Sequence, residues 1–283
     1  MPTIKATSAR SPRTQARARC EARLAYDGEK TALVFLTRAF GLQEQARMQG
    51  PDDSFMAWLE FGHSTLMIGR SGPEHHNLYS PRQTGKPTAE VNVSVDDIDE
   101  HFHRATAAGA VIGTPLEDAP WGYRHYEAVD PEGHGWHFLK PLQDLRQGRA
   151  TPEGLELRLA YADERAALEF LTGAFGFREL ARLDNPDGSI MAWLGCGDGH
   201  VMIGRADAVQ RQYSPSETAR PTAMLNLHVD EIDTHYQRAA TQGARIVTEL
   251  EDTFWGYRRY EALDPEGNCW HIIQKLTSLI SGR

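Results

Sequence analysis

The chain lacks any long hydrophobic run. No unbroken apolar stretch approaches the ~18 residues that a membrane-spanning helix needs, so we expect no such helix. Cysteine is also scarce, and Cys20, Cys196 and Cys269 show no regular spacing. This pattern excludes a disulfide framework and a paired-cysteine metal site, and it favours reduced thiols in a reducing compartment. Because no secretory apolar segment is present either, we expect a cytoplasmic protein.

Basic residues are in deficit, with 30 Lys and Arg against 39 Asp and Glu and a formal net charge of −9. Such a balance argues against general binding of nucleic acids or anionic membranes. Several catalytic signatures are missing as well, namely a glycine-rich phosphate loop, a nucleophile elbow and an HExxH motif. The sequence therefore directs attention to small molecules, and it identifies no catalytic residue by motif.

Residues 1–19 differ from the rest because they contain five basic residues and no acidic one. Transit peptides share this composition, but they also carry an apolar stripe that this segment does not have. We therefore predict a disordered basic tail for residues 1–19.

What the chain does contain is an internal repeat. The segment WGYRHYEAVDPEGHGWHF at residues 121–138 returns as WGYRRYEALDPEGNCWHI at residues 255–272. Each copy predicts two strands joined by a tight turn, because Asp130-Pro131-Glu132-Gly133 places proline at the second turn position and glycine at the fourth. With 40% hydrophobic and 24% charged residues, each half of the chain can form a globular core.

Each repeat divides further into two modules of similar pattern. The first begins with an alternating strand at 21–26, continues with a helix at 29–40 that ends before Gly41, and adds three short strands. A loop is predicted at 71–87, and the same β-α-β-β-β order then resumes. The predicted fold is α+β, with domains at 20–140 and 154–276, a linker at 141–153 and a C-terminal tail at 277–283.

This order of modules resembles the vicinal oxygen chelate superfamily, which includes glyoxalase I, bleomycin-resistance proteins and extradiol dioxygenases. The features that carry the resemblance are Phe40-Gly41 and Phe175-Gly176, VDDID at 95–99 and VDEID at 229–233, and DPEG at 130–133 and 264–267. The resemblance covers almost all of residues 20–276. It implies four β-α-β-β-β modules whose curved sheets pair to enclose pockets, in a chain that is a monomer or a homodimer.

Enzymes of that superfamily bind a divalent metal on the first and last strands of two paired modules, usually through His or Gln, Glu, His and Glu. The corresponding places here are Glu21, Met67, Glu90 and His137 in the first repeat and Glu156, Met202, Met224 and His271 in the second. Methionine is a poor ligand for the ions that these enzymes use. The resemblance therefore supports the fold more strongly than it supports a metal.

Two hypotheses for function follow. In one, Glu90, His137 and Glu156 bind a single Zn, Mn, Fe or Ni ion in a metal-dependent lyase, isomerase or dioxygenase, with Glu21 replacing Glu156 if the modules pair within a repeat. Against it, Arg158 lies two residues after Glu156 and on the same strand face, where a guanidinium would pair with the carboxylates and repel a cation.

In the preferred hypothesis, the pocket binds a small, planar and largely apolar organic molecule without a full set of metal ligands. Strand alternation places Trp and Met side chains in the cavity, although such residues also fill sheet interiors. Arg124 is predicted to clamp an acidic group of the ligand. The predicted ligand contacts are Trp58, Met67, Asn92, Trp121, Tyr123, Arg124, Trp193, Met202, Asn226, His228, Trp255, Tyr257, Arg258 and His271.

Overall fold

A computed structural model describes residues 4–6, 20–50, 52–142, 154–197 and 199–276. The predicted basic tail lies outside these ranges except for residues 4–6, which form strand β1 (Ile4–Ala6) beside the first module. Residues 143–153 of the predicted linker and the whole predicted C-terminal tail also lie outside the described residues.

The order of elements follows the prediction in both repeats. In the first repeat they are β2 (Cys20–Tyr26), α1 (Glu29–Ala39), β3 (Gln43–Gln49), β4 (Phe55–Phe61), β5 (Ser64–Arg70), α2 (Pro81–Thr84), β6 (Ala89–Ser94), α3 (Ile98–Ala107), β7 (Val111–Asp118), β8 (Tyr123–Val129) and β9 (Gly135–Pro141). In the second they are β10 (Leu155–Tyr161), α4 (Glu164–Gly173), β11 (Arg178–Asp184), β12 (Ile190–Cys196), β13 (Gly199–Arg205), α5 (Pro215–Thr218), β14 (Ala223–His228), α6 (Ile232–Thr241), β15 (Arg245–Asp252), β16 (Tyr257–Leu263) and β17 (Cys269–Lys275). None of the described helices is long and apolar enough to cross a membrane.

The short helices α2 and α5 lie in segments that the sequence analysis assigns to loop. Each begins with proline, and the residue three positions after the N-cap serine accepts a hydrogen bond from that serine's N–H. Gln83 accepts from Ser80 at 3.1 Å, and Glu217 accepts from Ser214 at 3.2 Å. These bonds are part of the capping-box pattern, which marks the start of a helix and is visible in the sequence. Here the helix that it starts is only one turn long.

The modules pair across the repeats. The nine-stranded sheet has the order β1-β3-β4-β5-β2-β14-β17-β16-β15, and the eight-stranded sheet has the order β11-β12-β13-β10-β6-β9-β8-β7. The first module (20–70) thus shares a sheet with the fourth (223–275), through antiparallel β2 and β14. The second (89–141) shares a sheet with the third (155–205), through antiparallel β6 and β10. We call these the 1–4 sheet and the 2–3 sheet.

The apolar residues of the alternating strands cover one face of each sheet and pack around the helices. On β6 the side chains of Val91 and Val93 are buried in this core, and on β10 those of Leu157 and Leu159 are buried in it. Residues of all four modules belong to this single core cluster. The opposite face of each sheet carries the alternate residues, many of them polar, and we call it the polar face.

The repeated DPEG turn joins the two sheets. In the first repeat, Asp130 of the 2–3 sheet accepts a hydrogen bond from the hydroxyl of Tyr26 in the 1–4 sheet at 2.7 Å. It also accepts from the indole N–H of Trp136 at 3.3 Å. Glu132 accepts from the backbone N–H groups of Asp27 and Gly28, at 2.6 and 2.7 Å, just before α1 begins. The turn therefore satisfies polar groups that precede a helix of the other sheet.

The second repeat makes the same contacts with the sheets exchanged. Asp264 of the 1–4 sheet accepts from the Tyr161 hydroxyl of the 2–3 sheet at 2.7 Å. Glu266 accepts from the N–H groups of Ala162 and Asp163, at 2.7 and 2.8 Å. We call the two arrangements clasps: Tyr26–Asp130–Glu132 and Tyr161–Asp264–Glu266.

Replacing Asp130 by alanine is expected to lower the free energy of unfolding by about 3 kcal/mol or more. The change leaves the buried Tyr26 hydroxyl and Trp136 indole without their acceptor, and each unsatisfied buried donor costs about 1–3 kcal/mol. Urea denaturation followed by circular dichroism measures the loss. As the control, Asp97→Ala removes an exposed helix cap that accepts from the N–H of Glu100, at a cost of about 1 kcal/mol. Equal losses in the two variants would contradict the role of the clasp.

A fragment spanning residues 20–142 is expected to form a homodimer. In the fragment, β2 and β6 lose their partners β14 and β10, and the equivalent strands of a second copy can replace them. Light scattering coupled to size-exclusion chromatography gives the mass of the fragment beside that of the full chain. A folded fragment with the mass of one copy would show that a repeat forms its sheet alone, contrary to this prediction.

Candidate functional site

The polar face of the 2–3 sheet carries two adjoining rows of side chains, set by the strand register. One row contains Trp193, Met202, Arg158, Glu90 and Gly135. The next contains His200, Glu156, Asn92, His137 and Glu127. Each residue reaches this face because its neighbours along the strand belong to the core.

Pairing across the repeats decides which candidate metal ligands lie together. Glu90, His137 and Glu156 share the polar face of the 2–3 sheet, whereas Glu21 lies on the 1–4 sheet. The choice that the sequence left open between Glu156 and Glu21 is thereby answered in favour of Glu156. Sharing a face does not by itself bring three ligands to one ion.

Each of the three side chains is already bonded to a different neighbour. Glu156 accepts from the Asn92 amide at 3.2 Å, and its second oxygen lies 3.0 Å from Nε2 of His200. Nε2 of His137 lies 2.9 Å from Nδ1 of His125.

Glu90, for its part, accepts a hydrogen bond from the Gln212 amide at 3.0 Å. Across the described residues, no group of three or more His, Cys, Asp or Glu side chains is placed to hold a metal ion. The donor set at the superfamily's metal places therefore does not fit a metal.

Burial controls the charge state of this face. Burial raises the pKa of Glu90 to about 7, although the nearby Arg158 charge acts in the opposite direction. Burial also lowers the pKa of His137 to about 3, with the charges of His125 and Arg158 adding to the effect, so this imidazole is neutral at pH 7. His200 differs, because its hydrogen bond with Glu156 raises its pKa.

The polar face of the 1–4 sheet repeats the pattern with substitutions. Its first row contains Trp58, Met67, Arg23, Met224 and Cys269, and its second contains Thr65, Glu21, Asn226, His271 and Glu261. Met224 replaces Glu90 and Cys269 replaces Gly135, so this face has lost a carboxylate and gained an apolar filling.

Asn226 and His271 lie side by side on the polar face of the 1–4 sheet. The amide oxygen of Asn226 lies 3.0 Å from Nδ1 of His271, and its nitrogen contacts the sulfur of Met67 at 2.9 Å. Burial lowers the pKa of His271 to about 3, so it too is neutral at pH 7. His228 is at the edge of this group, with Nε2 3.6 Å from Glu21.

Two loop segments reach the polar faces, and the sequence analysis missed both. Nδ1 of His76 lies 2.6 Å from Glu261 on the 1–4 face. Leu78, from the same loop, is fully buried against Met224 and Cys269. In the second repeat the equivalent loop brings Gln212 to Glu90.

Strand β8 supplies another pair that the sequence analysis missed, His125 and Glu127. Their signal was available, because they alternate with the buried Tyr126 and Ala128. The loop residues had no such signal, since a loop has no periodicity.

The predicted aromatic residues of the hairpin gather beside the polar faces. The Trp121 ring lies 5.1 Å from that of Tyr123 and 5.0 Å from that of His125, measured between centroids, and Trp121 is 47% exposed. In the other repeat, Trp255 packs against the guanidinium of Arg259, and the Tyr257 ring lies 6.5 Å from that of His228. These rings lie beside histidines of the two polar faces.

The predicted role of Arg124 and Arg258 does not fit their positions. Arg124 pairs with Asp99 at 2.8 Å and Asp118 at 2.7 Å, and Arg258 makes the equivalent pairs in the second repeat. Arg124 lies two positions before the buried Tyr126 on its strand, and Arg258 lies two positions before the buried Tyr260. Side chains two positions apart point to the same face, so both arginines lie on the helix side of the sheet. They fix a helix to a hairpin, and the pocket lies on the other side.

A cleft opens between the polar face of the 2–3 sheet and the loop at 210–212. The space in it that admits the centre of a water-sized molecule is about 30 Å³, so the cleft is small and partly open to solvent. Glu90, Glu127, Arg158 and Gln212 supply polar groups, and Gly135 and Ala160 are among its small apolar walls.

Comparison with known proteins agrees with this architecture. An uncharacterized protein of Mycobacterium bovis is 32% identical over 125 residues, which are 43% of this chain and 82% of that protein. The structure of glyoxalase I from Zea mays aligns over 91% of this chain and 92% of its own, with 17% identity and a TM-score of 0.70. A putative dioxygenase from Bacillus subtilis aligns over 91% and 84%, with 13% identity and a TM-score of 0.57.

The two structural likenesses are distant in sequence and bear on the fold alone. They confirm the predicted α+β architecture of tandem glyoxalase-type domains. A statistical model of one family matches both repeats, over residues 24–138 and 155–272. The chain therefore belongs to the Glyoxalase/Bleomycin resistance protein/Dioxygenase superfamily.

Proposed function

We propose that this protein binds a small, largely planar organic molecule at a polar face of its sheets, without a metal ion held by three protein ligands. The observation that carries the proposal is the state of the superfamily's metal places. Three of the eight places hold methionine, namely Met67, Met202 and Met224. The carboxylates and the imidazole at the places on the 2–3 sheet are bonded to separate neighbours.

The surroundings of these places suit an organic ligand. Each polar face has a Trp beside a Met in the same row, Trp193 beside Met202 and Trp58 beside Met67, which supply a large and polarizable contact surface. Asn92 and His137 lie beside them on the 2–3 face, and both are uncharged at pH 7. Neutral polar groups of this kind orient a ligand and cost little to desolvate compared with charges.

The cellular setting that we propose is the cytoplasm, where thiols stay reduced. Cys20, Cys196 and Cys269 are all free thiols. We propose no nucleic-acid or membrane partner, and a monomer or homodimer as the working form. These proposals follow from composition and from the absence of regular cysteine spacing.

The competing hypothesis is a metal-dependent lyase, isomerase or dioxygenase that uses Glu90, His137 and Glu156. One observation favours it, because these three residues share a single polar face. For an ion to bind there, Glu156 must leave His200 and Asn92, and Glu90 must leave Gln212. We derive no reaction step through such an ion.

Protein purified without chelator is expected to contain less than stoichiometric Zn, Mn, Fe and Ni, and EDTA is expected to leave its melting temperature unchanged. A metal that binds the folded state stabilises it by mass action, so its removal lowers the melting temperature. Elemental analysis and thermal denaturation make the two measurements. Stoichiometric metal, with an EDTA response that disappears in His137→Ala, would instead establish the metal hypothesis.

A screen of planar aromatic compounds is expected to yield at least one that changes tryptophan fluorescence in a saturable manner. Trp193 and Trp58 lie on the two polar faces, so their emission reports on ligands that bind there. The variants Trp193→Phe and Trp58→Phe form a matched pair that assigns the signal to one sheet. If no compound gives a saturable change in the wild-type protein, the proposed function is wrong.

A further inference from the structure

The guanidinium of Arg158 is buried with few partners. Its side chain lies on the polar face of the 2–3 sheet, and the residue is 8% exposed. Nη2 reaches the backbone carbonyl of Arg205 at 3.4 Å, and Nη1 has no hydrogen-bond partner in the part of the chain that the structure describes. A guanidinium carries five N–H donors, and buried donors are normally bonded.

Because Arg158 is charged, a donor of its guanidinium without an acceptor costs more than a neutral donor without one. Burial of a charge disfavours it unless acceptors replace the water that it loses, and burial accordingly lowers the pKa of Arg158. Glu90 lies opposite Arg158 in the strand register, but its carboxylate accepts from Gln212. Arg158 is among the residues that line the cleft.

The cleft also has an acceptor and apolar walls beside the guanidinium. Oε1 of Gln212 is buried without a hydrogen-bond partner among the described residues. Gly113, Gly135 and Ala160 line the cleft with little side-chain volume. Walls of this kind leave space for a small flat group, and Arg158 is a cationic side chain of the cleft that an acidic group on it would meet.

The 1–4 sheet has the same arginine but a different covering. Arg23 is 1% exposed, and its Nε and Nη1 have no hydrogen-bond partner among the described residues. Leu78, which stands where Gln212 stands in the other repeat, is fully buried with Met224 and Cys269. Apolar side chains of the protein therefore occupy the position that the cleft occupies on the 2–3 sheet.

We infer that the cleft of the 2–3 sheet binds a small planar organic acid, whose carboxylate accepts hydrogen bonds from Arg158, while Leu78 closes the equivalent position of the 1–4 sheet. This inference rests on the proposed function and names both the ligand class and the sheet that binds it. A planar guanidinium pairs well with a planar carboxylate, because two N–H groups can face two oxygens.

Benzoate and benzamide provide the test, since the two are planar and nearly the same in shape but differ in charge. Isothermal titration calorimetry on the full chain is expected to give an affinity for benzoate at least about tenfold above that for benzamide. Arg158→Met should lower the benzoate affinity by about tenfold and leave benzamide within about twofold. The matched control, Arg23→Met, should leave the benzoate affinity unchanged, because Leu78 covers that position.

A second variant keeps the test valid if Arg158→Met folds poorly. Glu90→Gln keeps a partner for Gln212 and removes the carboxylate opposite Arg158. Measured at pH 8, above the Glu90 pKa of about 7, it should strengthen benzoate binding and leave benzamide unchanged. Equal affinities for the two compounds, an effect of Arg23→Met equal to that of Arg158→Met, or weaker benzoate binding in Glu90→Gln would each overturn the inference.

The outcomes separate this inference from the proposed function. If neutral planar compounds bind at a polar face and the Arg158→Met variant binds benzoate with the affinity of the wild-type chain, the proposed function stands and the inference is wrong. If neither benzoate nor benzamide binds to the wild-type chain, the inference is also wrong. The fluorescence screen with Trp193→Phe and Trp58→Phe then decides the proposed function on its own.

Discussion

The two clasps are the contacts on which the arrangement of the sheets depends. In each, an aspartate of one sheet accepts from a buried tyrosine hydroxyl of the other, and a glutamate two residues later caps the start of a helix. Strand pairing joins modules across the repeats, whereas the clasps join modules within a repeat. Together they connect four modules in a closed ring, and the polar faces are left on the sides away from the core. The repeated DPEG motif thus has a structural role that its position in a turn does not reveal.

The sequence predicted the modules and their order because period-two alternation and helix-ending glycines are local signals. It also placed Trp58, Trp193, Met67 and Met202 on the face opposite the core, where they lie, because alternation along a strand needs only the core side to be known. Pairing across the repeats was not predictable, because either partner offers the same strand pattern. That choice depends on long-range contacts between copies that are nearly equivalent in sequence.

The errors at the site have physical reasons as well. Arg124 was assigned to the pocket because of its charge. It lies two positions from the buried Tyr126 on the same strand, however, and this spacing places it on the helix side. Gln212 and His76 were missed because they reach the polar faces from loops, where no periodicity marks a direction. The part of the site carried by strands was therefore readable, and the part carried by loops was not.

Pairing across the repeats also sets the order in which the protein can be completed during synthesis. Chains emerge from the ribosome N-terminus first, so the 2–3 sheet has all its strands once β13 has been made. Strand β2 must wait for β14, about 200 positions later, and pairs of such separation form slowly. Until the final module appears, the first module keeps an unpaired strand edge that is prone to association with other chains. The nascent protein is therefore most vulnerable to aggregation from the completion of the first module until β14 has been made.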